Sequence, residues 1–168
     1  MTQELPQGTV TVLFTDVVGS TDLGSRLGDD ASQEILGGQR DLVREQIAEH
    51  SGHEVKGMGD GVLAVFTSAR QAIEAALRCS AAGNDAGLPL HLGLHAGDVI
   101  REEGNVFGGA VNVAARIAAE SAPGEVLVSD TVRSLARTSA GVTFEDRGEQ
   151  ALKGVGETVR VWAVLEGG

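Results

Sequence analysis

The chain has 168 residues, of which 42% are hydrophobic and 22% are charged, and its formal net charge at pH 7 is −11. This length and composition fit a single globular domain, residues 1–168, that can bury a core without disulfides or a structural metal. The negative charge argues against a nucleic-acid partner or an anionic membrane surface, because both would repel the chain. Since the sequence has one cysteine, no secretory leader and no run of about 18 apolar residues, we expect a cytoplasmic domain with no membrane-spanning segment.

Hydrophobic periodicity and turn residues predict alternating strands and helices. In chain order these are a strand at residues 10–15, a helix at 30–50, strands at 53–56 and 62–66, a helix at 68–82, a strand at 90–100, a helix at 108–119, a strand at 125–129, a helix at 130–137, and strands at 142–146, 151–153 and 159–165. The first six elements follow the order β-α-β-β-α-β, which is that of a ferredoxin-like split βαβ unit. We therefore predict an α+β fold with this core and additional C-terminal α/β elements.

The helix at residues 30–50 is predicted to be amphipathic. Apolar residues recur in it at helical spacing, and that pattern indicates a face directed towards a core. The residues of this pattern are Ile35, Leu36, Leu42, Val43 and Ile47.

Two aspartates are candidates for a metal site. Asp16 follows the first strand, and Asp60 lies in the turn of a predicted hairpin, residues 53–66. In a β-α-β-β unit this hairpin neighbours the first strand, so the two carboxylates can converge. Close carboxylates repel each other unless a cation bridges them, and oxygen ligands suit Mg²⁺ or Mn²⁺. The alternative is two unrelated aspartates, because Asp is common in both kinds of turn.

The turn after Asp16 is a candidate phosphate-binding loop. It contains Val17, Gly19, Ser20 and Thr21 and is predicted to open a helix. Backbone N–H groups at the start of a helix can hold a phosphate, especially beside a metal ion. An ordinary helix cap formed by Ser20 or Thr21 is the alternative.

A third candidate group lies on the helix at residues 108–119. Asn112 and Arg116 are four residues apart and so share one face of this helix. Their neighbours are small or apolar, and an arginine among such residues is costly to bury without an anionic partner. Either a local carboxylate or a phosphate of a ligand would satisfy Arg116.

Two lysines and two histidines are weaker candidates for site residues. The only lysines, Lys56 and Lys153, both precede glycine, and each taken alone is typical of a solvated surface lysine. His91 and His95 share one face of a strand, but acidic or cysteine ligands at matching spacing are missing, which argues against a shared metal.

Five segments together resemble one protein family. They are FTDVVGST at residues 14–21, KGMGDG at 56–61, LHAGDV at 94–99, VFGGAVNVAAR at 106–116 and LKG at 152–154. In this order they resemble the catalytic domain of class III nucleotidyl cyclases, the adenylyl/guanylyl cyclase homology domain, and in particular its bacterial, mycobacterial-type branch. The resemblance covers about residues 8–165, and five motifs in family order are far more specific than any one of them.

The resemblance implies a metal site and a catalytic helix. Asp16 and Asp60 match the two aspartates that bind metal ions, which implies two Mg²⁺ or Mn²⁺ per active site. Asn112 matches the asparagine that positions the ribose of the substrate. Arg116 matches the arginine that stabilises the transition state at the α-phosphate, and Lys153 matches a lysine that contacts the terminal phosphates.

The resemblance also implies where the purine base is recognised. Lys56 matches the residue that contacts the purine ring, and its partner position is Asn105, where the family usually has Asp and sometimes Ser or Thr. An Asn side chain can accept a hydrogen bond from the adenine amino group but can also donate one, so base discrimination is expected to be weaker. The Glu expected of a guanylyl cyclase is absent at position 56, which favours ATP.

The implied function is that of an adenylyl cyclase, which converts ATP to 3′,5′-cyclic AMP and pyrophosphate by a two-metal-assisted attack of the ribose 3′-OH on the α-phosphate. In this family the metal-binding aspartates come from one subunit, and the residues that match Lys56, Asn105, Asn112 and Arg116 come from the other. The chain carries both sets, so the resemblance implies a head-to-tail homodimer with two composite sites.

Two alternatives stay open. One is a catalytically weak or inactive domain that binds nucleotide or dimerises, and the other is a guanylyl cyclase with relaxed purine choice. A diguanylate cyclase or polymerase-palm enzyme has a similar core, but its Gly-Gly-Asp/Glu-Glu-Phe hairpin sequence is absent from this chain.

Overall fold

A mixed β-sheet with helices on both faces forms the domain in the computed structural model. The structure describes residues 8–19, 25–58, 61–102, 105–107, 109–138 and 141–166, without the side chains of 56–58, 101–102 and 105–107. The strands are β1 (Gly8–Val17), β2 (His53–Met58), β3 (Gly61–Phe66), β4 (Leu90–Glu102), β5 (Asn105–Phe107), β6 (Val126–Ser129), β7 (Val142–Ala151) and β8 (Thr158–Glu166). The helices are α1 (Asp29–Glu49), α2 (Ala69–Asp85), α3 (Gly109–Glu120) and α4 (Asp130–Ala136). Within the described residues, no helix has the length and hydropathy needed to cross a membrane.

The sheet confirms the predicted ferredoxin-like core. Its strand order is β2-β3-β1-β4-β6-β8-β7, and β5 pairs with the far end of β4. β1 lies between β3 and β4 and is antiparallel to both, as a split βαβ unit requires. The C-terminal strands extend the same sheet beyond β4, through a parallel β4–β6 pair. This order places the end of β1 in the middle of the sheet.

The two faces of the sheet bury different helices. On one face, Leu13 and Val17 of β1 share a core with α1, α2 and α4. On the opposite face, Val10 and Val12 pack with α3. The alternation of side chains along β1 therefore directs Phe14 and Asp16 to the α3 face. Asp16 on β1 and the candidate residues on α3 consequently lie on the same side of the sheet.

Helix α3 lies unusually close to β4 because the facing residues are small. A Cβ atom on Gly93 would lie 2.6 Å from the backbone oxygen of Ala114 and closer still to the backbone nitrogen of Ala118. Four residues further along the same face of β4, a Cβ on Gly97 would lie 3.1 Å from the Cβ of Ala110. No larger residue fits at Gly93 without moving the helix backbone, so this glycine sets the distance between α3 and the sheet.

Several boundaries differ from the predictions. β1 continues through Asp16 to Val17, so Asp16 lies within the strand and not after it. β5 is only three residues long, too short to give a periodic signal. β7 is one strand where two pieces were predicted, because the register shifts between Asp146 and Glu149 and interrupts the alternation.

The core-facing pattern predicted for α1 was partly wrong. Leu36, Val43 and Ile47 are buried, but Ile35 and Leu42 are 39% and 40% exposed. Their place in the buried stripe is taken by polar Ser32 and Gln39. Ser32 can be buried because its hydroxyl donates to the carbonyl oxygen of Asp29 at 3.0 Å.

The close approach at Gly93 gives a test of the fold. We expect Gly93→Ala to lower the free energy of unfolding by about 2 kcal/mol or more, because the new methyl group would overlap the α3 backbone. Gly38→Ala is the matched control, since Gly38 is an exposed helical residue with no atom within 4 Å of its would-be Cβ. It should raise stability by roughly 0.5–1 kcal/mol. Urea unfolding of both variants measures these values, and equal stability of the two would contradict the packing described.

Candidate active site

Asp16 occupies a central position on the α3 face of the sheet. It pairs with His91 of the neighbouring strand β4, and Thr15 beside it pairs with Val62 of β3. Its side chain is half-buried and lines a cavity of about 350 Å³. The other residues that line this cavity are Phe14, His91, Ala115, Ala118 and Ala119. A carboxylate in an accessible cavity walled by alanines has room for a cation and the phosphates bound to it.

The second predicted metal ligand, Asp60, lies outside the described residues. The described backbone places the strand that follows its turn beside β1. Met58 pairs with Gly61 across the hairpin, and Val62, the next residue, pairs with Thr15. The convergence of Asp60 with Asp16 stays a prediction.

The donor chemistry at this position fits a hard divalent cation. Asp16 offers only carboxylate oxygens, which Mg²⁺ and Mn²⁺ prefer and which usually share the ion with water and substrate phosphates. The described residues contain no cluster of three or more His, Cys, Asp or Glu that could hold a metal without such help. A site formed by Asp16 and Asp60 would thus depend on the substrate to complete the coordination shell.

His91 is a cavity residue that sequence reasoning did not assign to the site. Its Nδ1 lies 2.9 Å from the carbonyl oxygen of Ser121, which can only accept, so Nδ1 carries the proton and donates. This bond anchors the ring at the end of α3 while the ring also lines the cavity beside Asp16. His91 lies opposite Asp16 because of the register in which β1 and β4 pair. A local sequence pattern cannot predict this register, because the two strands are far apart in the chain.

His95 has a different environment, which argues against a metal shared by the two histidines. Its Nδ1 lies 2.8 Å from the hydroxyl of Ser129, and that hydroxyl lies 2.8 Å from the hydroxyl of Thr131. The neighbouring strand β6 and the start of α4 therefore hold His95 in place. Burial lowers the pKa of His95 below its ordinary value of 6.5.

Asn112 and Arg116 lie on the face of α3 that points away from the sheet. Asn112 is exposed and Arg116 is half-buried, whereas Ala114 and Ala118 are buried against β4. Among the described residues, neither Asn112 nor Arg116 has a hydrogen-bond or ion-pair partner. Of the two explanations for an arginine in this helix, the local salt bridge is thus not found in the described part of the chain. The guanidinium group is available for an anionic ligand.

Lys153 is brought to the same side of the molecule as α3. Leu152 and Val155, in the turn between β7 and β8, pack against Val113 and Ile117 of α3. This contact holds the turn alongside the helix, and the Lys153 side chain is exposed. A lysine remote from Arg116 in sequence therefore lies next to the helix that carries Arg116.

Lys56 and Asn105 are placed on adjacent strands. Lys56 lies in β2 and Asn105 begins β5, and these two strands are in contact. The structure does not describe either side chain. Joint recognition of one base by Lys56 and Asn105 stays a prediction.

The predicted phosphate loop is only partly described. Val17 is 6% exposed and its side chain belongs to the core, so only its backbone can reach a ligand. Gly19 has a φ of 70°, which favours glycine, and it is followed by Ser20 and Thr21, which lie outside the described residues. The N–H of Val18 donates to the carbonyl oxygen of Pro89 at 2.9 Å, which fixes where β1 ends.

Within one chain, the predicted residues form two groups. Asp16 lies in the cavity between β1, β4 and α3, and α3 contributes alanines to this cavity, not Asn112 or Arg116. Asn112 and Arg116 share the outward face of α3 with Ala115 and Ala119, which do line the cavity. Arg116 is thus close along the helix to the cavity of Asp16 without being one of the residues that line it.

Comparison with known proteins identifies the family. The family model described as "Adenylate and Guanylate cyclase catalytic domain" matches residues 2–165. The chain belongs to this family. The cyclase domain is 31% identical over 163 residues to a pH-sensitive adenylate cyclase of Mycobacterium tuberculosis, covering 94% of the chain and 41% of that protein. It spans between 17% and 41% of the lengths of the first three curated relatives.

Solved structures agree with the family and confirm the predicted fold. The cyclase domain superposes on an adenylate/guanylate cyclase/hydrolase from Silicibacter pomeroyi with a TM-score of 0.80 and 31% identity, covering 95% of this chain and 98% of that one. It superposes on the adenylyl cyclase CyaB from P. aeruginosa with a TM-score of 0.87, 21% identity and 99% and 98% coverage. The second likeness concerns the fold alone.

The half-buried His95 of the cyclase domain gives a prediction about pH. Because its pKa is lowered on folding, the unfolded chain binds a proton on His95 more readily than the folded chain does. The stability contributed by the neutral ring is therefore present above pH 6.5 and is lost as the pH falls through the lower, folded-state pKa. We expect the unfolding free energy to decrease from pH 7.5 to pH 5.5, and to decrease less in His95→Gln. Urea titrations at the two pH values would contradict this if both proteins had the same pH dependence.

Proposed function

We propose that the chain is the catalytic domain of an adenylyl cyclase that converts ATP to 3′,5′-cyclic AMP and pyrophosphate. The observation that carries the proposal is the half-buried Arg116, without a partner among the described residues, on the same helix face as Asn112. A half-buried guanidinium group without a protein partner can pair with an anionic ligand. Asp16 in an accessible cavity supplies the second feature that a phosphoryl-transfer site needs.

Each residue has a role in holding the substrate. Arg116 faces the α-phosphate and stabilises the negative charge that develops there in the transition state. Asn112 hydrogen-bonds the ribose and orients its 3′-OH, and Lys153 contacts the terminal phosphates. Lys56 and Asn105 recognise the base. The backbone N–H groups around Gly19, Ser20 and Thr21 receive the phosphates beside the end of β1, whereas Val17 contributes only its backbone.

The reaction is an intramolecular substitution at phosphorus. The bond between the ribose 3′-oxygen and the α-phosphorus forms, the bond from that phosphorus to the pyrophosphate oxygen breaks, and the 3′-OH proton is released. Because nucleophile and electrophile belong to one molecule, residues that hold the ribose against the α-phosphate lower the barrier without covalent catalysis. Two Mg²⁺ or Mn²⁺ ions held by Asp16 and Asp60 would supply Lewis-acid chemistry to the 3′-OH and to the phosphates.

The site is shared between two chains. In one chain the α3 residues that line the Asp16 cavity are Ala115, Ala118 and Ala119, and Arg116 is not among them, which supports a site completed by a second chain. A head-to-tail homodimer would place Arg116 and Asn112 of each chain opposite Asp16 of the other. Two equivalent composite sites result.

Asn105 favours a second candidate activity, the conversion of GTP to cyclic GMP. Its amide side chain can both donate and accept, so it fits the guanine carbonyl as well as the adenine amino group. Lys56, in place of an acidic residue, disfavours guanine. We therefore infer a preference for ATP with measurable turnover of GTP.

The activity is tested by product formation. The purified protein, incubated with ATP or GTP and with Mn²⁺ or Mg²⁺, should form cyclic AMP and, more slowly, cyclic GMP. Asp16→Asn keeps the shape of the side chain but removes its charge, so it should lower the rate by roughly 100-fold or more. Asp41→Asn is the matched control, because Asp41 is a 77% exposed carboxylate on α1, far from the cavity.

Two outcomes would contradict the proposal. Formation of cyclic nucleotide at the same rate by Asp16→Asn would exclude Asp16 from the metal site. Tight nucleotide binding without any product, in a protein shown to be dimeric, would favour the non-catalytic alternative.

A further inference from the structure

We propose that Ser121 is a positioning residue, which sets the place of α3 on the sheet and thereby the place of Arg116 in the active site. The inference rests on the proposed function, since it assigns Ser121 a role in that reaction. Ser121 directly follows α3, is 5% exposed, and belongs to none of the motifs by which the family was recognised. It does not line the Asp16 cavity, so it acts only through other residues.

The hydroxyl of Ser121 joins α3 to β4. It accepts a hydrogen bond from the backbone N–H of Leu92 at 3.1 Å and donates one to the carbonyl oxygen of Ala118 at 2.8 Å. The backbone of the same residue makes further links, because its carbonyl accepts from His91 and its N–H donates to Ala118 at 3.1 Å. One residue thus bonds to two successive residues of the strand and to the last turn of the helix.

The other contacts of α3 with the sheet are apolar. On β4 they include Gly93 and Gly97 against Ala110, Ala114 and Ala118, and Val113 and Ile117 pack on the neighbouring strands. Apolar contacts of this kind favour close approach, but they are not directional. Hydrogen bonds are directional, so the bonds of Ser121 determine how far α3 is displaced along the strand.

The position of α3 matters for Arg116 in particular. Among the described residues, no side chain holds the guanidinium group, so the helix backbone is what sets the reach of this side chain. Arg116 lies five residues before Ser121, so less than two helical turns separate the arginine from the anchored end. A small shift of the helix would therefore move the group that stabilises the transition state, and such shifts can cost a large factor in rate.

Ser121→Ala tests the role of the hydroxyl separately from the role of the backbone groups of this residue. The variant loses the bonds from Leu92 and to Ala118 but keeps the carbonyl that accepts from His91. Each chain contributes Arg116 to one site of the dimer and Asp16 to the other. The loss of activity in Ser121→Ala should therefore appear at the site to which the mutated chain contributes Arg116, and not at the site to which it contributes Asp16. Ser121→Thr keeps a hydroxyl and should restore most of the rate.

A heterodimer with one intact site makes this distinction measurable. Co-expressed chains with different affinity tags carry Asp16→Asn in one chain and Arg116→Ala in the other. The intact site takes Arg116 from the first chain and Asp16 from the second. Ser121→Ala in the first chain should lower kcat roughly fivefold to tenfold with little change in KM for ATP, and in the second chain it should lower kcat less than twofold.

A matched control removes another buried hydroxyl. Ser32 is 3% exposed, and its side chain bonds to the backbone in α1, away from the site. Ser32→Ala should destabilise the protein without changing kcat in either chain. Equal losses from Ser121→Ala in both chains, or a loss in neither, would overturn the positioning role.

The experiment distinguishes a failure of the proposed function from a failure of the role of Ser121. If the parent heterodimer makes no cyclic nucleotide while wild-type chains do, the composite site is wrong. The positioning of α3 is then judged by amide hydrogen exchange on the wild-type protein and Ser121→Ala. Faster exchange confined to α3 in the variant supports the role of Ser121, and unchanged exchange contradicts it.

Discussion

The active-site geometry depends on how closely α3 approaches β4 at Gly93. A single methyl group there would overlap the helix backbone, so the distance between helix and strand is set by the absence of a side chain. This contact fixes two features at once. It encloses the cavity beside Asp16 with alanines, and it holds Arg116 on the outer face of the same helix. In a dimer, α3 of each chain would therefore line the Asp16 cavity of one site with alanines and contribute Arg116 to the other site.

Electrostatics explains why a few cations carry so much of the proposed chemistry. The chain has a formal net charge of −11, yet the proposed substrate is an anion, so attraction must come from local groups and not from the overall field. Several described arginines are already neutralised by carboxylates. These are Arg44, Arg70, Arg147 and Arg160. Arg116 and the two lysines of the chain are the cations that the family motifs assign to the nucleotide. A metal site at Asp16 would further reduce the repulsion between protein and phosphates.

Sequence patterns predicted the parts of the structure that depend on local order. The strand that carries Asp16 and the shared helix face of Asn112 and Arg116 follow directly from periodicity. Contacts between distant segments could not be predicted in this way. His91 faces Asp16 only because β1 and β4 pair in one register, and Lys153 lies beside α3 only because Leu152 packs against Val113 and Ile117. The exposed Ile35 and Leu42 also show that periodicity alone does not predict tertiary packing, since Ser32 and Gln39 are buried in the stripe of α1 instead.

The central claim is that one chain cannot complete an active site. The most direct test is the specific activity of the wild-type protein over a wide range of protein concentrations, measured together with its molar mass by sedimentation at each concentration. The account predicts that activity per chain falls in proportion to the dimer fraction as the protein is diluted, and vanishes in the monomer. Constant activity per chain in solutions shown to be monomeric would place all the catalytic groups within one chain and would contradict the account.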